Sequence, residues 1–194
     1  MDLTASLESY FAAEVTRAFA AEGVEADQLT AHYLVHLLAA YAAQPIEQRP
    51  LALRLLGAMS ASPRERRTTL REIGDTSLFV SGFWGDSLGR SLVDVDYYID
   101  MGGTAYAELA GEAATGVAEP HRAVFGELAA NFARFVEVLM TISRRTVQAR
   151  NDRDVVRLYE RWLRTGSRWA ARRLAEQGVM ASGSAFARGG GLLQ

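Results

Sequence analysis

The sequence predicts an all-α fold, a single-domain bundle of about six or seven helices followed by a flexible, glycine-rich C-terminal tail. Three observations carry this expectation. Apolar residues recur at three- and four-residue spacing along most of the chain, start and stop signals punctuate those stretches, and no segment alternates with period two between hairpin turns. At 194 residues the chain can bury roughly 70% of its unfolded surface around one core. The expected division is a helical domain over residues 1–178 and a mobile tail over 179–194.

The first helix is expected over residues 4–22, where Leu7, Tyr10, Phe11, Val15 and Phe19 keep helical spacing ahead of Gly23. A second, over 26–43, places Leu29, Tyr33, Leu37 and Tyr41 in one row and stops before Pro45. A short third helix starts near Pro50 and runs through Leu51, Leu55 and Leu56 to Met59. Ser62, Pro63 and Glu65 then combine an N-cap serine, a proline in the first turn and a glutamate at the third helical position, the pattern of a capping box. From that start Leu70, Ile73, Ser77, Val80 and Trp84 fall on one side, with a turn expected over residues 83–90.

Another helix is expected over 94–113 with Asp94 as its cap, and a turn near 115–117. A long helix from Pro120 aligns Val124, Leu128, Phe132, Phe135, Leu139 and Ile142 in one stripe. Asn151 is expected to cap a separate last helix that reaches about residue 177 and ends near Gly178.

Composition narrows the function classes. Hydrophobic residues at 49% and charged residues at 23% are ordinary for a globular protein, and a net charge of −2 gives no whole-molecule case for nucleic acid. All 21 basic residues are arginine, a bacterial-like bias attributable to GC-rich coding. With no cysteine there are no disulfides, thiolate metal sites or cysteine nucleophiles. The N-terminus lacks the basic and apolar regions of a signal peptide, and no window reaches the roughly 18 apolar residues of a spanning helix. The resulting expectation is a cytoplasmic protein without membrane contact.

The tetrapeptide Gly85-Asp86-Ser87-Leu88 resembles the motif that names the GDSL hydrolases, whose serine follows a strand and whose triad is completed by Asp-x-x-His near the C-terminus. That partner is missing here. The chain holds only His32, His36 and His121, and Leu29, Tyr33 and Ala118 stand three residues before them. A serine without a base is a weak nucleophile, so Ser87 is read as a chance match and the chain as leaning away from catalysis.

Gly74, Gly82, Gly85, Gly89, Gly102 and Gly103 fall among aromatic and aliphatic residues. Glycine costs a helix about 1 kcal/mol against alanine, so these mark close helix crossings or, alternatively, a pocket lined by Trp84, Tyr97, Tyr98, Met101 and Tyr106. Asp96 and Asp100 share a helix face and, with Asp75 and His32 or His36, could ligate a divalent metal or serve as acid and base. His32 and His36 have the spacing of a His-Glu-x-x-His pair, but Tyr33 occupies the glutamate position. No cofactor or metal is expected, and His32, His36, Asp96 and Asp100 are the ligands that would overturn this. A ligand-binding bundle of this kind would be similar in architecture to heme-oxygenase-like proteins.

The clearest pattern is near the C-terminus. Arg150, Arg153, Arg157, Arg161, Arg164, Arg168 and Arg172 fall within about 100° of arc on a continuous helix. Val156, Tyr159, Leu163, Ala170 and Leu174 oppose them, with Trp162 and Trp169 on one flank, which predicts a buried face and an arginine face. Residues 144–173 hold ten arginines against Asp152, Asp154 and Glu160, a local charge of +7, while residues 1–30 hold six acids against Arg17, or −5. Such polarity points to an interaction or regulatory protein that docks an acidic protein surface or its own subunit as a homo-oligomer. A small-molecule-, metal- or cofactor-binding bundle is the alternative, and a nucleic-acid binder the third reading.

Overall fold

The computed structural model describes residues 3–43, 49–88, 94–111 and 119–179, and among these every regular element is a helix. In chain order they are α1 (Leu3–Glu22), α2 (Gln28–Ala43), α3 (Leu51–Met59), α4 (Pro63–Leu88), α5 (Val95–Gly111), α6 (Glu119–Ala130), α7 (Phe132–Thr165) and α8 (Arg168–Glu176). The all-α bundle stands, with eight helices among the described residues. The tail expected over 179–194 lies, after Val179, outside the described residues, as do the turn at 115–117 and the end of α5 expected at 113.

Two compact units divide the chain between Ser143 and Arg144. In the first, α1 to α6 and the start of α7 surround one core, whose fully buried members include Leu34, Leu38, Leu70, Ile73, Leu78, Tyr106, Leu109, Phe135 and Leu139. The stripe Val124, Leu128, Phe132, Phe135, Leu139, Ile142 is buried throughout, as its spacing predicted. Tyr41, Phe79 and Phe83 stack in succession at centroid separations of 4.8 and 4.7 Å.

The helix starts follow from local chemistry. Gly23, with φ +60°, ends α1, and the Asp27 carboxylate accepts from the Leu29 amide at 2.8 Å to open α2. At α4 the capping box closes reciprocally: the Ser62 amide donates to Glu65 Oε2 at 3.1 Å and the Glu65 amide to Ser62 Oγ at 3.4 Å. Ser62→Ala is expected to cost about 1 kcal/mol in equilibrium urea unfolding, because the Glu65 amide in the first turn of α4 loses its side-chain acceptor. An unchanged midpoint would mean that this first turn is already frayed in solution.

Three expectations are corrected. The turn over 83–90 is not where it was placed, because α4 continues helically through residues 85–88, Ser87 included. The long helix from Pro120 is interrupted at Asn131, whose side-chain amide donates to the Glu127 carbonyl at 3.3 Å and so competes for a helical acceptor. The i to i−4 bonds Asn131 to Glu127 and Phe135 to Asn131 persist, so α6 and α7 follow each other almost directly. Asn151 caps nothing: α7 passes through it to Thr165, since neither neighbour supplies a glycine or proline to stop propagation. The true stop is Gly166, with φ +61°, after which Ser167 caps α8 by accepting from the Ala170 amide at 3.4 Å.

Glycine supplies three close crossings in the first unit. A Cβ on Gly74 would lie 2.4 Å from the Tyr106 ring, one on Gly82 2.3 Å from Leu139 Cβ, and one on Gly102 2.2 Å from the Phe132 ring. Of the two explanations for these glycines, close approach is the one realised at all three positions.

Candidate functional site

Two surfaces hold the residues singled out from the sequence. The first is the arginine face of the second unit. Arg150, Arg153, Arg157, Arg161 and Arg164 lie on α7 and Arg168 and Arg172 on α8, so the stripe is carried by two helices rather than one. All seven are exposed, and none is in an ion pair with a described residue. Arg157, Arg161 and Arg164 line a cleft of about 320 Å³ together with Trp169, Leu158, Asp154 and Glu160.

The apolar side of α7 departs from expectation. Ala170 and Leu174 are fully buried, but Val156, Tyr159, Leu163 and Trp169 are 55%, 39%, 47% and 56% exposed. Helical periodicity identified an apolar face correctly and its burial incorrectly, because periodicity reports a face that can be covered and not what covers it. The half-buried residues of this stretch are Val155, Leu158 and Trp162, on an adjacent side. Tyr159 and Trp162 pack ring to ring at 5.6 Å.

The second surface is a groove of about 230 Å³ between α2 and α6, lined by Leu29, His32, Tyr33 and His36 from one helix and Pro120, His121 and Val124 from the other. It gathers all three histidines of the chain. One turn of α2 brings His32 Nε2 within 2.8 Å of His36 Nε2, and His36 Nδ1 reaches Glu8 Oε1 of α1 at 3.0 Å. An ionised carboxylate only accepts, so His36 donates from Nδ1, and when its ring is neutral the Nε2 lone pair accepts from the Nε2–H of His32. In the neutral pair Glu8 thereby sets the tautomers of both rings.

Behind the groove lies a polar cluster inside the bundle. The Asp75 carboxylate accepts from the Tyr33 hydroxyl at 2.5 Å and from the Tyr106 hydroxyl at 2.7 Å through the same oxygen, Oδ1. Tyr106 reaches it by crossing α4 at Gly74, and its ring stacks on Phe125 at 5.7 Å. Burial raises the Asp75 carboxyl to about 6, against the two tyrosine hydrogen bonds, which favour its charged form. Burial, reinforced by the Asp75 charge, holds the Tyr33 and Tyr106 hydroxyls well above the usual phenol range. Nearby, Tyr41 and Thr76 share a hydrogen bond of 2.9 Å, and burial pushes Tyr41 up to about 12.

The remaining candidates are not brought to these surfaces. Trp84 is 47% exposed while Tyr106 is fully buried, and Tyr97, Tyr98 and Met101 are half-buried against the core. Asp96 and Asp100 are exposed on α5, away from the histidine groove and without an ion pair among the described residues. Among those residues no group of three or more carboxylate or imidazole side chains is placed to hold a metal. Glu8, His121 and the Tyr33–Asp75–Tyr106 cluster had no signal in local spacing, since each is assembled from separate helices.

No family model, curated protein or solved structure matches the chain, so the likeness to heme-oxygenase-like bundles drawn from the sequence gains no support. None of the helices of the described residues is long and apolar enough to cross a membrane.

Proposed function

We propose that this is a non-catalytic interaction or regulatory protein that docks an acidic protein surface on the arginine face of α7 and α8. One observation carries the reading: seven exposed arginines have no carboxylate partner among the described residues. Four of the six acids of residues 1–30, the obvious internal counterpart, are engaged within the first unit. Glu8 holds His36, Glu14 pairs with Arg17, Glu22 accepts from Thr141, and Asp27 caps α2.

Guanidinium groups left free present planar forks that match carboxylates, and such pairs strengthen when a partner excludes water from them. Trp169, 56% exposed, lines the same cleft as Arg157, Arg161 and Arg164 and supplies aromatic area of the kind enriched at interface centres. A helical bundle with a polarised, partner-free face fits a docking role better than it fits chemistry at Ser87, which sits within α4 with no histidine base in its motif.

The test is charge reversal at Arg157, Arg161 and Arg164 together. Untagged wild-type protein from its native host is expected to co-purify with an acidic partner, or to run as an oligomer, in native mass spectrometry. The triple glutamate variant is expected to lose that species while its helical circular dichroism stays unchanged. If the variant keeps the same mass and the same companions, the docking reading is wrong. Binding that instead tracks nucleic acid, with a steep loss of affinity in salt, would replace the acidic protein by phosphate.

A further inference from the structure

We propose that His32 and His36 form a binding site for a divalent transition-metal ion of the zinc and copper type at the mouth of the α2–α6 groove. The site is independent of the arginine face. Its geometry rests on two side chains of one helix whose Nε2 atoms already face each other across 2.8 Å, with a proton between them. A metal ion can take the place of that proton.

The ligand chemistry is suited to the task. Imidazole nitrogen is a preferred donor for zinc, copper and nickel, and metal–nitrogen bonds of about 2.1 Å at a tetrahedral angle need the two nitrogens about 3.4 Å apart. The required opening is about 0.6 Å, within reach of rotation by exposed side chains. His36 is 50% exposed and its ring is fixed by Glu8 at its far nitrogen, the carboxylate–histidine arrangement that orients metal-bound imidazoles.

The proton inventory also closes. With both rings neutral, Glu8 keeps His36 protonated at Nδ1, so its Nε2 lone pair needs no change. His32 moves its single proton from Nε2 to Nδ1 through solvent, freeing its own Nε2 lone pair. No net proton is released and no other group must ionise. With only two protein ligands, the ion retains open positions for water, and these face a groove walled by Leu29 and Val124 with His121 across it.

Isothermal titration of the full, untagged chain with ZnCl₂, and electron paramagnetic resonance with Cu²⁺, test the site. One ion per chain is expected, with a copper signal split by two imidazole nitrogens. His32→Ala and His36→Ala are each expected to weaken binding at least tenfold, and Glu8→Gln to weaken it roughly tenfold through the orientation of His36. All three positions are exposed or half-exposed, so folding is retained and circular dichroism verifies it. Absence of binding in the wild type, or affinity unchanged in both histidine variants, overturns the proposal. Retention of the two-nitrogen copper signal in His36→Ala does so as well.

Discussion

Gly82→Ala is expected to destabilise the first unit by about 2 kcal/mol, against the usual gain from replacing a helical glycine. Alanine is worth about 1 kcal/mol over glycine in a helix interior, and forced overpacking costs about 1–3 kcal/mol and sometimes more. The balance falls on the losing side here because the new Cβ would sit 2.3 Å from Leu139 Cβ, an atom fixed to the α7 backbone. No rotamer of Leu139 moves that atom, so α4 and α7 must separate. Leu139→Ala therefore gives no rescue, since it keeps the Cβ and opens a cavity besides. Gly57, on α3, is the control: nothing lies within 4 Å of where its Cβ would stand, and its alanine variant is expected to gain stability. Denaturant unfolding of both variants decides the matter, and a stabilised Gly82→Ala would show that the two helices are not in contact at that point.

Asp75→Asn is expected to raise stability by about 3 kcal/mol at pH 7.5 and to have little effect at pH 4. The folded carboxyl titrates at about 6 against an ordinary value of 3.8, so between those values the native state binds more protons than the unfolded chain. Stability then falls as pH rises through that window, and the loss is complete above the folded value. A tenfold change in proton affinity is worth about 1.4 kcal/mol, which sets the size of the effect. Asparagine preserves an oxygen that accepts from Tyr33 and Tyr106 while removing the charge that burial penalises. Urea unfolding at pH 4, 5.5 and 7.5 measures it. A difference between variant and wild type that stays flat with pH would place Asp75 in contact with water.

Local chemistry was readable in the sequence wherever neighbours along the chain settle the outcome. The capping box at Ser62, the stop at Gly23 and the buried stripe from Val124 to Ile142 each depend on residues within a few positions of one another. Asn151 shows the limit of that reasoning: a residue able to cap a helix does so only where the chain leaves helical geometry, and here Gly166 is where it leaves. The Tyr33–Asp75 hydrogen bond spans 42 positions, and the groove joins His121 on α6 to the histidine pair on α2. Spacing within one helix holds no information on such pairings. Val156, Tyr159 and Leu163 failed for a related reason, since an amphipathic pattern specifies a face and leaves its cover to the rest of the assembly.

The length of α7 sets a ruler for whatever meets it. At about 1.5 Å of rise per residue, the exposed arginines from Arg150 to Arg164 extend over about 21 Å, with successive guanidinium roots separated by about 5 Å. An extended acidic strand rises about 3.4 Å per residue, so about six residues would cover that span. A second helix would need about four turns, with its carboxylates returning every three or four residues. The two kinds of partner thus carry different acidic periods, and the spacing of acids in a bound segment would reveal whether it lies on α7 as strand or as helix.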